Sequence, residues 1–358
     1  MKKLLNKCSD KLGKVSDKLK RKPDVSAPVR ITNDTVVEHR EKILADARKF
    51  KYPFQYSKHK ILIGAAAVLV LAASLFGTYT GVMLYKVQTT DDFYYNVAKF
   101  LSLPVANVDG KDVGYDDYLR RIRSTIYYKQ NQEEIDFSNK DNQDELNYLK
   151  REELSRVEKF AYASKIAKEK GISVTDEEVD KELNKNLQTS NGAKMSQEDY
   201  EQNVLYKYFG WSIGEYKEEL RNRLLEQKVE FAVDNNAKDK INKAKDRLDG
   251  GEEFATVAIE MSDDDTSKDN GGAVSASTGD VDSSGIIAVA RSLEEGEVSD
   301  IIQGVDGYYI VKLGSKTDST TNFSLIKVGL NQFTKNFDEL KTAGKIKEFI
   351  VIPDSSSK

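Results

Sequence analysis

A run of 25 residues without a charged side chain, Ile61 to Tyr85, constrains this 358-residue chain more than any other feature. About 20 helical residues cross the roughly 30 Å hydrocarbon layer of a bilayer, because a helix rises about 1.5 Å per residue and satisfies its own backbone hydrogen bonds there. A buried core helix is the alternative at this length. We interpret residues 61–85 as a transmembrane helix and an uncleaved signal anchor, since the run starts late and is long for a cleaved signal peptide.

Charge is divided unevenly across this run. The first 60 residues hold 17 Lys and Arg against 7 Asp and Glu, about +10, whereas the rest of the chain carries about −14. Under the positive-inside rule, the basic flank stays in the cytoplasm. The pattern predicts a single-pass plasma-membrane protein with a cytoplasmic N-terminus and extracytoplasmic C-terminal domains, in contact with the bilayer through residues 61–85.

The predicted cytoplasmic tail, residues 1–60, is interpreted as mostly disordered because prolines interrupt it. Between Leu5 and Leu19, however, apolar residues recur at spacings of three and four among lysines, which is typical of a basic amphipathic helix. Two interpretations stay open: a helix on anionic lipid head groups, or a solvated basic flank. Nucleic acid is not the expected partner. The single cysteine, Cys8, lies in this tail, so the outer part forms no disulfide and is no disulfide-stapled scaffold.

Two blocks of different character follow the membrane run. Residues 86–234 have mostly helical periodicity and begin with an expected helical stalk over Val87 to Leu103. Residues 235–316 mix helices with strands, of which GYYIVKL is the clearest. Residues 317–358 form a C-terminal extension with a further predicted strand over Phe323 to Leu330. The chain is therefore predicted to be an α+β, multidomain protein.

Three stretches resemble the membrane-anchored parvulin-type foldases of the SurA, PrsA and PpiD kind. LPVANVDGKDVGYDDY resembles the opening of their helical chaperone domain, and KIAKEKGISVTDEEVDKEL resembles its middle. GGEEFATVAIEMSDDDTSKDNGG followed by LEEGEVSDIIQGVDGYYIVKL is similar to the parvulin prolyl isomerase pattern in order and spacing. The resemblance covers nearly all of residues 100–315. It implies an N-terminal transmembrane helix, a SurA-like helical domain and a parvulin-like α+β domain.

The resemblance also implies a site in the second block. Parvulins accept a proline ring in a shallow groove and let the preceding peptide bond rotate against a barrier of about 20 kcal/mol. Asp264 falls where the family places the Cys or Asp that faces the twisting carbonyl, and Tyr309 falls at the histidine of the family's GYHI strand. The implied substrate-binding positions are Val274, Asp282 and Ile286, of which Asp282 replaces an apolar residue. No GxGxxG, P-loop or zinc-ligand spacing occurs in the sequence, so we expect no cofactor and no metal.

This parvulin-like domain departs from the family pattern. Parvulin grooves usually hold two histidines, yet His39 and His59, the two in this chain, both precede the membrane run. The family's first strand is also missing before the helix that begins near Ala237, and we hypothesise that FSLIKVGL, after the domain, supplies it. We therefore expect weak or absent isomerase turnover.

Other candidate sites have less support. Counted from Asp263, the acidic loop places Lys268 where an EF-hand needs Gly and Val274 where it needs Glu, so a solvated loop is the better interpretation. Trp211 and the tyrosine pairs Tyr94-Tyr95 and Tyr127-Tyr128 could contact unfolded clients, but packing in the core or at the membrane surface is the favoured interpretation. The predicted function is an extracytoplasmic foldase or chaperone for unfolded or newly translocated polypeptides. The alternatives are an active peptidyl-prolyl isomerase and a non-catalytic envelope scaffold.

Overall fold

The computed structural model describes residues 32–51, 60–188 and 193–353. The predicted amphipathic pattern from Leu5 to Leu19, the assignment of disorder to the first 31 residues, and His59 lie outside these ranges. The chain divides into two units, residues 1–76 and 77–358. The first unit holds helix α1 (Asn33–Lys51), which carries His39, and most of helix α2 (Lys60–Val82).

Helix α2 continues through a π-helical last turn, Met83–Val87, to give a single helix of 28 residues from Lys60 to Val87. Its mean hydropathy reaches 2.3 over 18 residues, and by length and composition it is able to cross a membrane. Among the described residues it is the one helix with that property. The helix therefore fits a membrane anchor, as the uncharged run predicts.

The second unit begins with a block of helices. They are α3 (Asp92–Leu101), α4 (Tyr115–Gln132), α5 (Gln143–Lys170), α6 (Asp176–Asn186), α7 (Gln197–Tyr200, continued by a wide helical segment Glu201–Phe209) and α8 (Ile213–Val233). Strands β1 (Pro104–Val108) and β2 (Lys111–Gly114) form a hairpin between α3 and α4, and a short 3-10 turn, Lys140–Asn142, precedes α5. The helix-rich content confirms the predicted fold class for this block.

The rest of the unit mixes helices and strands. Its elements are α9 (Asn235–Asp249), α10 (Phe254–Met261), a 3-10 turn (Lys268–Asn270), β3 (Ala273–Ser277), α11 (Ile286–Ser292), β4 (Ile302–Gln303), β5 (Gly307–Lys316), β6 (Thr320–Gly329), α12 (Gln332–Thr342) and β7 (Ile346–Glu348). Four of the strands form an antiparallel sheet in the order β3-β6-β5-β4. This is the α+β character predicted from the sequence.

Alternating side chains of β5 enter two separate cores, because successive residues of a strand point to opposite faces of its sheet. Tyr308 and Ile310 pack in one cluster with α9 and α10. Tyr309, Val311 and Leu313 pack in the other cluster with α11. The sheet is therefore covered by helices on both faces.

The C-terminal segment contributes to both sheets of the unit. Strand β6 lies between β3 and β5, and β7 pairs antiparallel with β1 to complete a three-stranded sheet, β2-β1-β7. Between these strands, α12 places Phe333 and Phe337 in the core of the helical block. Residues after Lys316 are therefore integral to the fold of both blocks.

Candidate functional site

Tyr309 sits at the centre of a polar network on the sheet. It faces Lys327 of the neighbouring strand β6 in the antiparallel register. The Tyr309 hydroxyl donates to Asp306 Oδ1 at 2.6 Å, and Lys327 Nζ donates to Asp306 Oδ2 at 2.6 Å. The Lys327 ammonium also lies 5.7 Å from the centre of the Tyr309 ring. Tyr309 is thus occupied by Asp306 of the preceding turn and Lys327 of β6, and it is only 7% exposed.

The protonation states of this network follow from its contacts. Burial, reinforced by the hydrogen bond to Asp306, raises the pKa of Tyr309. Partial burial opposes ionisation of Asp306, but the hydrogen bonds from Lys327 and Tyr309 outweigh it and hold the pKa of Asp306 below its usual range. At neutral pH the phenol is therefore neutral and donates, and it does not accept a proton as a histidine can.

Asp264 belongs to the turn that follows α10. Its carboxylate accepts hydrogen bonds from the backbone amide of Ser267, at 3.2 Å, and from the Ser267 hydroxyl. The hydroxyl of Ser262 accepts from the amides of both Asp264, at 3.2 Å, and Lys327, at 3.1 Å. Asp264 is therefore tied through Ser262 to the strand position opposite Tyr309, and its own carboxylate organises the acidic loop.

The three implied substrate-binding residues have different surroundings. Ile286, 5% exposed, packs in the same buried cluster as Tyr309, and Val274 packs at the edge of that cluster from strand β3. Asp282 instead caps helix α11, because its two carboxylate oxygens accept from the amides of Ile286, at 2.9 Å, and Ile287, at 2.7 Å. The structure thus brings Tyr309, Ile286 and Val274 together around one core, and Asp282 positions the helix that carries Ile286.

A cleft lined by aromatic rings opens in the helical block. Its volume is about 470 Å³. Five rings follow one another along it with centroid separations of 5.9 to 6.4 Å: Tyr128, Phe209, Trp211, Tyr216 and Tyr200. The guanidinium of Arg120 lies 5.9 Å from the Trp211 ring centre. Arg120 is itself buried, so the cleft offers π faces together with the exposed guanidinium of Arg223 in its lining.

A helix C-cap and a helix N-cap flank Trp211 at the edge of this cleft. Gly210 ends the preceding helical segment in a left-handed conformation, φ 66°, with its Cα face against the Tyr127 ring. Ser212 and Glu215 then form a capping box that starts α8, and Trp211 lies between the two signals. The Trp211 indole donates to the backbone oxygen of Arg120 at 3.2 Å. The tryptophan is held in place while part of its surface stays exposed to the cleft.

A second cleft, of about 940 Å³, is polar. It runs between α5, α6 and α8 and the loop that carries Asp306. Burial, and then repulsion from Glu226, raises the pKa of Glu230 to about 7, whereas Lys159 and Arg156 act in the opposite sense. Charges of both signs line this cleft, so it presents hydrogen-bonding groups and not an apolar surface.

Comparisons with known proteins agree with this arrangement. A family described as the SurA-like N-terminal domain matches residues 54–230, and the PPIC-type PPIASE domain matches residues 224–315. This chain joins a SurA-like N-terminal domain to a parvulin-type domain. The parvulin-type match ends at residue 315, so strand β6, which lies in the middle of the sheet, comes from outside the matched segment.

The relatives are foldases. "Foldase protein PrsA" of Clostridium botulinum (strain 657 / Type Ba4) is 33% identical over 128 residues, which cover 31% of this chain and 37% of that protein. "Foldase protein PrsA" of Clostridium kluyveri is 43% identical over 84 residues, 22% of this chain and 24% of that protein. The matched segments thus span between about a quarter and little more than a third of the length of these curated relatives.

A solved structure also resembles part of the chain. The crystal structure of foldase protein PrsA from Streptococcus pneumoniae str. Canada MDR_19A is 19% identical and covers 56% of this chain and 76% of that one, with a TM-score of 0.18. At that score the likeness supports no statement about function. The recognition of a parvulin-type foldase therefore depends on the two domain matches and on the sequence relatives.

Two polar residues beside Tyr309 were missed by sequence reasoning, namely Asp306 and Lys327. Asp306 precedes Tyr309 by three residues in VDGYY, so the sequence alone could have predicted that the two lie close together. Lys327 lies on β6, and only the register of that strand against β5 places it opposite Tyr309. The aromatic cleft was signalled in part by Trp211, but the rings of Tyr200 and Tyr216 join it through tertiary packing.

Proposed function

We propose that this chain is a membrane-anchored foldase of parvulin type that acts mainly as a chaperone for unfolded or newly translocated polypeptides. The observation that supports this function is the row of five aromatic rings along an open cleft in the SurA-like domain. Unfolded chains expose apolar and aromatic side chains, and half-exposed rings offer them contact area with little loss of side-chain freedom. The exposed Arg223, which lines the same cleft, adds a cation for aromatic faces.

Weak or absent isomerase turnover is part of the proposal. The Tyr309 hydroxyl is engaged by Asp306, and its ring is buried beneath Lys327. Ile286 is buried in the same cluster, so little of its surface is offered to a proline ring. A polypeptide therefore meets a filled groove in the parvulin-type domain and an open cleft in the SurA-like domain.

The proposed location is the plasma membrane. Residues 61–85 would span it once, with the basic N-terminus in the cytoplasm and the two domains outside. The excess of about ten positive charges before the span supports this orientation and favours contact of the tail with anionic lipid over nucleic acid.

The chaperone role is tested with the full chain in lipid nanodiscs by following the aggregation of guanidine-unfolded citrate synthase. Trp211→Ala and Phe209→Ser remove two rings of the row, and Tyr148→Ala, at a tyrosine 56% exposed outside the cleft, is the matched control. We expect the first two variants to lose most of the protection and the control to keep it. Equal protection by all four proteins would overturn the cleft as the client site.

The rival enzymatic function is tested on the same preparations. The polar set Tyr309, Asp306 and Lys327 is the observation that favours an active isomerase, because it supplies two hydrogen-bond donors and a carboxylate on the parvulin-type sheet. Isomerisation of a short Xaa-Pro peptide that is lost in Tyr309→Phe and Asp264→Ala would establish that function. If the unmodified chain neither protects citrate synthase nor isomerises the peptide, an envelope scaffold is the remaining function.

A further inference from the structure

The end of the membrane helix is built into the core of the SurA-like domain. Leu84 is fully buried there, and its carbonyl oxygen accepts a hydrogen bond from the hydroxyl of Tyr115 on α4. Tyr85 donates from its hydroxyl to the carbonyl oxygen of Pro104 on β1 at 2.7 Å. A helix end with these contacts does not swing freely. The last turns of this helix, residues 77–87, therefore belong to the same compact unit as the SurA-like domain.

The length of the helix places this junction at the membrane surface. Twenty-eight helical residues from Lys60 to Val87 extend for about 42 Å, which matches the hydrocarbon layer plus its head-group regions. Only residues 88–91 separate Val87 from the start of α3, and the Thr89 amide in this connection donates to the carbonyl oxygen of Met83 in the last turn of the membrane helix at 3.1 Å. Helix α3 is therefore held beside the last turns of the span.

Helix α3 has three faces of different chemistry. Its inner face, with Tyr94, Tyr95 and Ala98, is buried in the core of the domain. A second face is polar and consists of Asp92, Asn96 and Lys99. The remaining face consists of Phe93, Val97, Phe100 and Leu101, which recur at spacings of three and four. On it Phe100 is 85% exposed, Leu101 is 49% exposed and Phe93 is 57% exposed.

We infer that α3 lies in the outer interface of the bilayer with this third face, and Phe100 above all, among the upper acyl chains. The inference rests on the proposed membrane anchoring. An amphipathic helix parallel to the surface buries its apolar face at the boundary between head groups and acyl chains. Tyr79, 61% exposed near the end of the span, is of a residue type that favours this same layer.

Charge distinguishes this contact from electrostatic adsorption. The outer surface of α3 carries one acidic and one basic residue, Asp92 and Lys99, so it has no net attraction for anionic lipid. Burial of aromatic and aliphatic side chains provides the binding instead. The contact is therefore expected in neutral phosphatidylcholine and is expected to be unchanged when anionic lipid is added.

Spin labels on the full chain, reconstituted in phosphatidylcholine vesicles, test the inference. Cys8 is first replaced by serine, and single labels are attached through Phe100→Cys on the apolar face and Asn96→Cys on the polar face of the same helix. Oxygen concentrates in lipid and a nickel chelate stays in water, so the ratio of their relaxation effects reports depth. We expect a several-fold higher oxygen-to-nickel ratio at position 100 than at position 96, with and without anionic lipid.

A third label separates this inference from the anchoring on which it depends. Leu69→Cys lies near the middle of the proposed span, nine residues after Lys60. A lipid-like ratio at position 69 with equal, water-like ratios at positions 96 and 100 would overturn the placement of α3 alone. A water-like ratio at position 69 would overturn the anchoring itself, and the placement with it.

Discussion

Tyr309 on β5 lies directly across from Lys327 on β6, and both donate to the carboxylate of Asp306. Strand β6 lies outside the segment that matches the parvulin-type family, yet it occupies a central position in the sheet. The residue opposite Tyr309 is thus supplied by a strand that follows the matched segment in sequence. This pairing holds Tyr309, Asp306 and Lys327 in a fixed phenol–carboxylate–ammonium set.

Removing the phenol hydroxyl by Tyr309→Phe is expected to lower the free energy of unfolding by about 1–2 kcal/mol, because a hydrogen bond to a charged acceptor is lost. The pKa of Asp306 is held low in the folded protein, so its contribution is present above the unfolded pKa of about 4 and is lost as the pH falls through the folded value. The difference between Tyr309→Phe and the unmodified chain should therefore shrink below about pH 4. Urea unfolding of both proteins from pH 3 to 7 measures it, and a difference independent of pH would contradict the assignment.

For Glu158 we expect the opposite dependence of the free energy of unfolding on pH. It is 1% exposed on α5, its Oε1 atom has no hydrogen-bond partner, and burial, with repulsion from Glu348 of β7, raises its pKa to about 7. A raised acid pKa gives stability that is fully present below the unfolded pKa, about 4.3, and is lost as the pH rises through 7. Glu158→Gln is therefore expected to stabilise the protein at pH 8, by up to about 3 kcal/mol, and to have much less effect at pH 5.

Urea unfolding at the two pH values measures this effect, and Glu152→Gln, at an exposed position on the same helix, is the matched control. The control should change stability by less than about 0.5 kcal/mol at either pH. A Glu158→Gln protein less stable than the unmodified chain at pH 8 would show that the carboxylate has a partner at that pH.

Much of the architecture was predictable because it depends on local pattern. The uncharged run from Ile61 to Tyr85 is long enough to span a bilayer by length alone, and the helix Lys60–Val87 contains it. GYYIVKL reads as a strand from its aromatic and β-branched residues, and β5 includes it. Both features need only neighbours within the same segment.

The rest depends on which segments meet. The expected stalk from Val87 to Leu103 instead contains α3, whose Tyr94, Tyr95 and Ala98 are buried against elements distant in sequence. Nothing in the sequence distinguishes Lys327 from other lysines, and only the register of β6 against β5 places it opposite Tyr309. The resemblance assigns Asp282 to the substrate pocket, but its carboxylate oxygens accept hydrogen bonds from the first amides of α11. Residue spacing in the sequence does not distinguish a pocket residue from a helix cap.

The importance of β6 can be measured at Ile326. This side chain is fully buried in the cluster under α9 and α10, so Ile326→Ala is expected to cost about 2–5 kcal/mol of unfolding free energy. Ile259→Ala, at an isoleucine 53% exposed on α10, should cost less than about 0.5 kcal/mol. Thermal unfolding of both variants is the measurement. Equal costs would mean that β6 is not part of the folded core.

Substitutions at two glycines compare the cost of a left-handed backbone conformation with the cost of a close contact. Gly272 (φ 80°) and Gly279 (φ 96°) both have left-handed conformations, but a Cβ on Gly272 would lie 2.3 Å from the backbone oxygen of Leu325 on β6, whereas nothing lies within 4 Å of one on Gly279. Gly279→Ala is therefore expected to cost about 1 kcal/mol for the conformation alone. Gly272→Ala should cost about 1–3 kcal/mol more, because β6 must shift to admit the methyl group. Chemical unfolding of the two variants compares them directly, and similar losses would mean that the loop before β3 does not pack on β6 as described.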